Sequence, residues 1–173
     1  MEKDRVYKGK VKHSGIFDFK AFYDFLYDYL MDSHYDVFEK KYGEIKKAES
    51  KNLDIFWEAK KPMASIGKGP SKYFVAQIQV RYTVLGLQKV KVKRDNEEVS
   101  MDSATLELDF TADLIKDPEN KWDGPFYKFL RNLYDKYIIK SRIEDYEMEV
   151  YQDVSEVINA VKAYLSIEGR WNF

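Results

Sequence analysis

Three segments of this chain alternate apolar and polar residues with a period of two, and that periodicity limits the fold more than any other feature. Leu53, Ile55, Trp57 and Ala59 alternate with Asp54, Phe56, Glu58 and Lys60. Phe74, Ala76, Ile78, Val80, Tyr82 and Val84 alternate with Val75, Gln77, Gln79, Arg81 and Thr83, and Leu106, Leu108, Phe110, Ala112 and Leu114 alternate with Glu107, Asp109, Thr111 and Asp113. A strand turns successive side chains to opposite faces, so each segment predicts a strand with one buried face and one wetted face. Short connections between such strands argue an antiparallel sheet.

Weaker strands are predicted at residues 5–13, ended by a His13-Ser14-Gly15 turn, and at residues 35–47, which alternate poorly. Pro62 and the Gly67-Lys68-Gly69-Pro70 stretch break the chain. Leu85-Gly86-Leu87 reads as a three-residue hairpin loop that sets Val80 opposite Val92 and Tyr82 opposite Val90, and a second turn falls at Asp95-Asn96.

Between the first two strands the pattern becomes helical. Asp18 is placed as an N-cap, Phe17 and Phe22 sit where a hydrophobic staple packs, and Phe19, Phe22, Tyr23, Leu26, Tyr29 and Leu30 form one stripe ending near Ser33. A longer helix is predicted over residues 125–151, entered through Trp122-Asp123-Gly124-Pro125. Its first stripe, Phe126, Phe129, Leu130, Leu133 and Tyr137, gives way to a second on another face, Ile139, Ile143, Tyr146 and Val150. Asp153 is placed to cap a further helix with the stripe Val154, Val157, Ile158, Val161 and Leu165, and Gly169 to stop it. Pairing Val150 with Val154, Tyr146 with Ile158, Ile143 with Val161 and Ile139 with Leu165 makes an antiparallel helical hairpin. The first stripe then packs on the sheet and the second on the last helix. The rival use of the second stripe is a homodimer seam through Ile139, Ile143, Tyr146 and Val150, although the monomer is favoured.

The expectation is therefore a single α+β domain over residues 1–173. It has an antiparallel sheet of five to six strands, one N-terminal helix between strands 1 and 2, and a long C-terminal helix continued as a helical hairpin. A chain of 173 residues can bury one sizeable core without staples, and it has no cysteine, which excludes disulfides and thiolate chemistry. With 29 basic and 30 acidic residues there is no net field to attract nucleic acid or anionic lipid. Neither a secretory leader nor a run of about 18 apolar residues is present, so a cytoplasmic protein with no membrane partner is expected.

The segment PFYKFLRNLYDKYIIKSRIEDYE that follows Trp122, with VKAYLSIEG near the end, resembles an uncharacterised family of small archaeal proteins. The resemblance covers the C-terminal third and implies an archaeal, cytoplasmic setting, with nothing about mechanism.

Candidate sites are few. Arg81, Lys89, Lys91 and Lys93 are expected on one wetted face, where a basic row can follow a phosphate backbone. Glu107, Asp109 and Asp113 are expected on the same face, offsetting them through cross-strand pairs worth a few tenths of a kcal/mol each. Asp24, Asp28 and Asp32 make an acidic ridge opposite the apolar stripe of the first helix. Gly67-Lys68-Gly69 precedes a strand rather than a helix, unlike a phosphate-binding loop. His13 and His34 are the only imidazoles, and no G-x-S-x-G elbow is present. No catalytic, metal or cofactor site is assigned.

The expected role is that of a non-catalytic interaction or scaffold domain touching another macromolecule, with protein as its partner. Two alternatives remain. One is a helix-grip (START-like) carrier of an apolar small molecule, by similarity in the order of elements. The other is an RNA- or ribosome-associated protein.

Overall fold

A computed structural model describes residues 1–64, 70–121, 124–137 and 140–168. The elements follow in the order β1 (Glu2–Phe17), α1 (Phe19–Asp32), β2 (Asp36–Lys46), β3 (Lys51–Ala64), β4 (Pro70–Arg94), β5 (Glu97–Lys116), α2 (Pro125–Tyr137) and α3 (Lys140–Glu168). The five strands form one antiparallel sheet in the order β1-β5-β4-β3-β2.

Because β1 and β2 are the two edges, α1 must carry the chain across the sheet. Fourteen helical residues reach about 21 Å, and five strands span about 19 Å, so the helix is just long enough. Asp18 caps α1 by accepting the Ala21 N–H at 3.0 Å. Phe17 and Phe22 close the staple with ring centroids 6.5 Å apart, and Phe22, Leu26 and Leu30 are buried. All of the apolar alternating residues in β3, β4 and β5 named above are buried on the same side.

β1 does not end at His13-Ser14-Gly15. It runs through to Phe17, because that stretch stays in register with Ala104, Thr105 and Leu106 of β5. Pro62 also lies inside a strand, opposite Val75. The Gly67-Lys68-Gly69 loop lies outside the described residues.

Leu85-Gly86-Leu87 is not a hairpin loop. β4 continues for 25 residues, and the register with β5 passes from Leu85↔Thr105 to Gln88↔Ser103. β4 therefore holds one extra residue, a β-bulge. Gly86 takes φ +67, and its N–H donates to Asn52 Oδ1 at 2.9 Å. The hairpin comes later, at Asp95-Asn96, where both residues have positive φ (49 and 68), as a type I′ turn requires. Pairing with β3 stops at Leu87 and pairing with β1 stops at Asp102, so residues 90–94 and 97–101 pair only with each other. They form a two-stranded ribbon continuing past the sheet.

The helical hairpin expected at Gln152-Asp153 is replaced by one continuous helix. In α3, Tyr146, Val150, Val154, Val157, Ile158, Val161 and Leu165 are all buried, and their spacing of three and four keeps them on one face. That face covers β1, β5 and β4. The pairs proposed between Tyr146 and Ile158 and between Val150 and Val154 are successive positions along one stripe, and Ile139 lies outside the described residues. Asp153 is no cap. Its carboxylate accepts the Tyr35 hydroxyl at 2.7 Å and pairs with Lys61 of β3, tying α3 to the end of α1 and to the sheet. Of the residues named for the rival dimer seam, Tyr146 and Val150 are buried in the chain's own core and Ile143 is packed against it.

The change of face read from the sequence falls between the described residues of α2 and those of α3, at residues 138–139, which lie outside the described residues. α2 is the element that does not reach the sheet interior: Phe126, Phe129 and Leu133 are 67%, 63% and 43% exposed. The core between sheet and helices is supplied by α1 and α3, which meet through the stacked rings of Phe25 and Tyr164, 4.5 Å apart.

Candidate functional site

The extra residue at Gly86-Leu87 decides where the basic side chains go. Residues paired across an antiparallel sheet point to the same face. Arg81 lies opposite Asp109 on the face away from the helices. Beyond the bulge, Lys89 lies opposite Asp102, Lys91 opposite Ser100 and Lys93 opposite Glu98, which places them on the side of Ala104 and Leu106, where the helices are. The expected common face of Arg81, Lys89, Lys91 and Lys93 is split.

Their partners differ accordingly. Arg81 makes a two-pronged pair with Asp54, with Nε and Nη2 at 3.1 and 3.0 Å, which holds the Asp54 carboxyl below its ordinary range together with Lys41. Glu107 and Asp109 are matched by Lys10 and Lys12 of β1 at 3.5–3.7 Å, and Asp113 by Arg5. Lys89 pairs with Asp102 at 2.8 Å, and Lys91 approaches Glu98 at 4.0 Å.

Where the ribbon leaves the sheet, its helix-side face meets the first turn of α1 and the β2–β3 turn, and a cleft of about 500 Å³ opens. Lys20, Lys46, Lys47, Lys51 and Lys89 line it with Glu44, Glu49 and Asp102, and Phe19 and Leu87 contribute apolar walls. Three of the lysines are matched: Lys20 with Asp24 at 2.9 Å, Lys51 with Glu44 at 3.6 Å, and Lys89 with Asp102. Asp102 is buried and also accepts the Phe19 N–H at 3.0 Å, so its charge is committed to the start of α1. The turn beneath is closed by Lys47 N–H donating to the Ser50 carbonyl at 2.7 Å.

Of the acidic ridge, Asp24 is taken by Lys20, while Asp28 and Asp32 are exposed on α1. Among the described residues no group of three His, Asp or Glu side chains is placed to hold a metal ion. His13 lies within β1 with its ring edge-on to Phe17 at 5.6 Å, and burial lowers its pKa below the usual 6.5. His34 forms the turn after α1 with φ 67. The two imidazoles belong to separate ends of α1 and share no site.

A second surface is the flank of α2. Arg131 on the inward side is tied to Glu2 at 3.5 Å and to Asp117 at 4.0 Å. That attachment holds Phe126, Phe129 and Leu133 outward. The sequence pattern marks these three as part of one apolar stripe expected to pack on the sheet, and their exposure overturns that expectation.

No known family model matches the chain, and no match to it was found among curated proteins or solved structures. None of the described helices is long and apolar enough to cross a membrane.

Proposed function

We propose that this chain is a non-catalytic interaction domain of the cytoplasm that engages another protein through the exposed flank of α2. The observation that carries the reading is the outward placement of Phe126, Phe129 and Leu133 on a helix anchored by Arg131. Large apolar side chains grouped on an amphipathic surface helix are the usual anchors for a groove on a partner. The likeness of the C-terminal third to uncharacterised archaeal proteins supports an archaeal, cytoplasmic setting.

The test is the double exchange Phe126→Ser and Phe129→Ser, read by denaturation and by photo-crosslinking from position 133 in cells. Stability should change by no more than about 0.5 kcal/mol, as for exposed sites, while a discrete crosslinked protein is lost. A destabilisation of about 3–5 kcal/mol would instead place both rings in the chain's own core, and the reading would fail.

The carrier reading keeps one favourable observation: β1, α1, four more strands and then α3 across the sheet is the order of helix-grip domains. Against it, the space beneath the helices is occupied by fully buried Trp57, Tyr82, Phe110, Phe22 and Ile78, with little room for cargo.

A further inference from the structure

We propose that the cleft at the base of the ribbon binds the phosphoryl group of a small phosphorylated molecule. This does not depend on the role of α2, which is a separate surface. Five lysines and three carboxylate residues line the cleft. With Asp24, which pairs Lys20 from outside the lining, the excess is one positive charge. Glu49 is the one lining carboxylate that is in no ion pair among the described residues. Lys46 and Lys47, at the end of β2, have no carboxylate partner among the described residues, whereas Lys20, Lys51 and Lys89 are each matched. Lys46 and Lys47 thus leave two cleft lysines uncommitted, and lysine binds phosphate as a point charge without needing a fixed fork.

The volume, about 500 Å³, is within the roughly 300–1,000 Å³ typical of small-molecule sites. Phe19 and Leu87 offer an apolar wall for the carbon skeleton of the ligand. A polymer is disfavoured by the ribbon itself. Along it Lys89, Lys91, Lys93 and Arg94 are balanced by Asp95, Glu97, Glu98 and Asp102, so no basic track leads out of the cleft for a phosphate backbone to follow. The site was missed in the sequence because Lys20, residues 46–51 and residues 87–89 converge only when the bulge turns the ribbon's lysines toward α1.

The experiment is calorimetric titration of the full chain with inorganic pyrophosphate and with adenosine diphosphate, repeated on Lys46→Glu/Lys47→Glu. A control with the same charge change, Lys8→Glu/Lys162→Glu, alters two exposed lysines outside the cleft. Saturable binding of at least one probe at a single site, weakened ~10-fold or more by the cleft exchange and unchanged by the control, would establish the site. Three results would each overturn it: no saturable binding of either probe, whether or not a short single-stranded RNA binds; equal weakening by both double exchanges; or binding that the cleft exchange leaves unchanged.

Discussion

Tyr82 places its hydroxyl at the centre of the core, ringed by Phe19, Phe22, Tyr23 and Trp57 at centroid distances of 5.0–6.5 Å. The hydroxyl is buried without a hydrogen-bond partner among the described residues, and burial drives its pKa well above the usual value for tyrosine. An unpaired buried polar group costs about 1–3 kcal/mol. Tyr82→Phe removes it and leaves the ring in place, so the exchange should raise stability by about 1 kcal/mol in urea denaturation. A loss of stability would show that the hydroxyl is hydrogen-bonded after all. Nearby, the Glu39 carboxylate accepts the Trp57 indole N–H at 3.2 Å and the Tyr23 hydroxyl. Burial and Glu39 push Tyr23 up to about 12, so it remains a neutral donor through the physiological range.

At the scale of elements, α3 and the β4 bulge share one lesson. Asp153, preceded by Gln152 and followed by an apolar stripe, has the local chemistry of an N-cap, and Leu85-Gly86-Leu87 has that of a hairpin loop. Neither position is used that way, because distant partners compete for the same groups: Tyr35 and Lys61 take the Asp153 carboxylate, and Asn52 takes the Gly86 N–H. Continuity of α3 is open to direct test. Gln152 is exposed, so Gln152→Pro acts chiefly on the backbone, removing an intrahelical hydrogen bond and clashing with the preceding turn at a cost of about 3 kcal/mol or more. A cost under about 1 kcal/mol, tolerable in a connection but not in a helix interior, would restore the hairpin.

On the scale of the whole molecule, the accessible surface is 10822 Å². A compact monomer of 20.6 kDa is expected to expose roughly 8,900 Å². The ribbon and the exposed flank of α2 are the two surfaces proposed to border or bear a binding site. Global stability should also respond to pH through His13. Burial lowers its pKa, so the folded state resists protonation, while the unfolded chain takes up a proton near 6.5. The stability due to this group is fully present above about 6.5 and is lost as pH falls through the lowered folded-state value. Urea midpoints measured at about pH 7.5 and about pH 5.5 should therefore fall further in the natural chain than in His13→Gln, which has no imidazole to titrate. Equal losses would show that His13 is not protected by the fold.

What the sequence determined by itself was local or periodic: the buried faces of β3, β4 and β5, the Asp18 cap with its Phe17–Phe22 staple, the Asp95-Asn96 turn, and an antiparallel α+β arrangement. Periods of two and near 3.6 are written in consecutive residues and do not require knowledge of partners. What only the tertiary structure decided was direction. One added residue at Gly86-Leu87 reverses every later side chain of β4, which separates Arg81 from Lys89 and turns the lysines toward α1. Likewise the stripe at Phe126, Phe129 and Leu133 has the same pattern whether it faces a core or solvent. α3 takes the place over the sheet that this stripe was expected to fill, because its own apolar face is longer and unbroken, and burying more apolar surface is the larger free-energy gain.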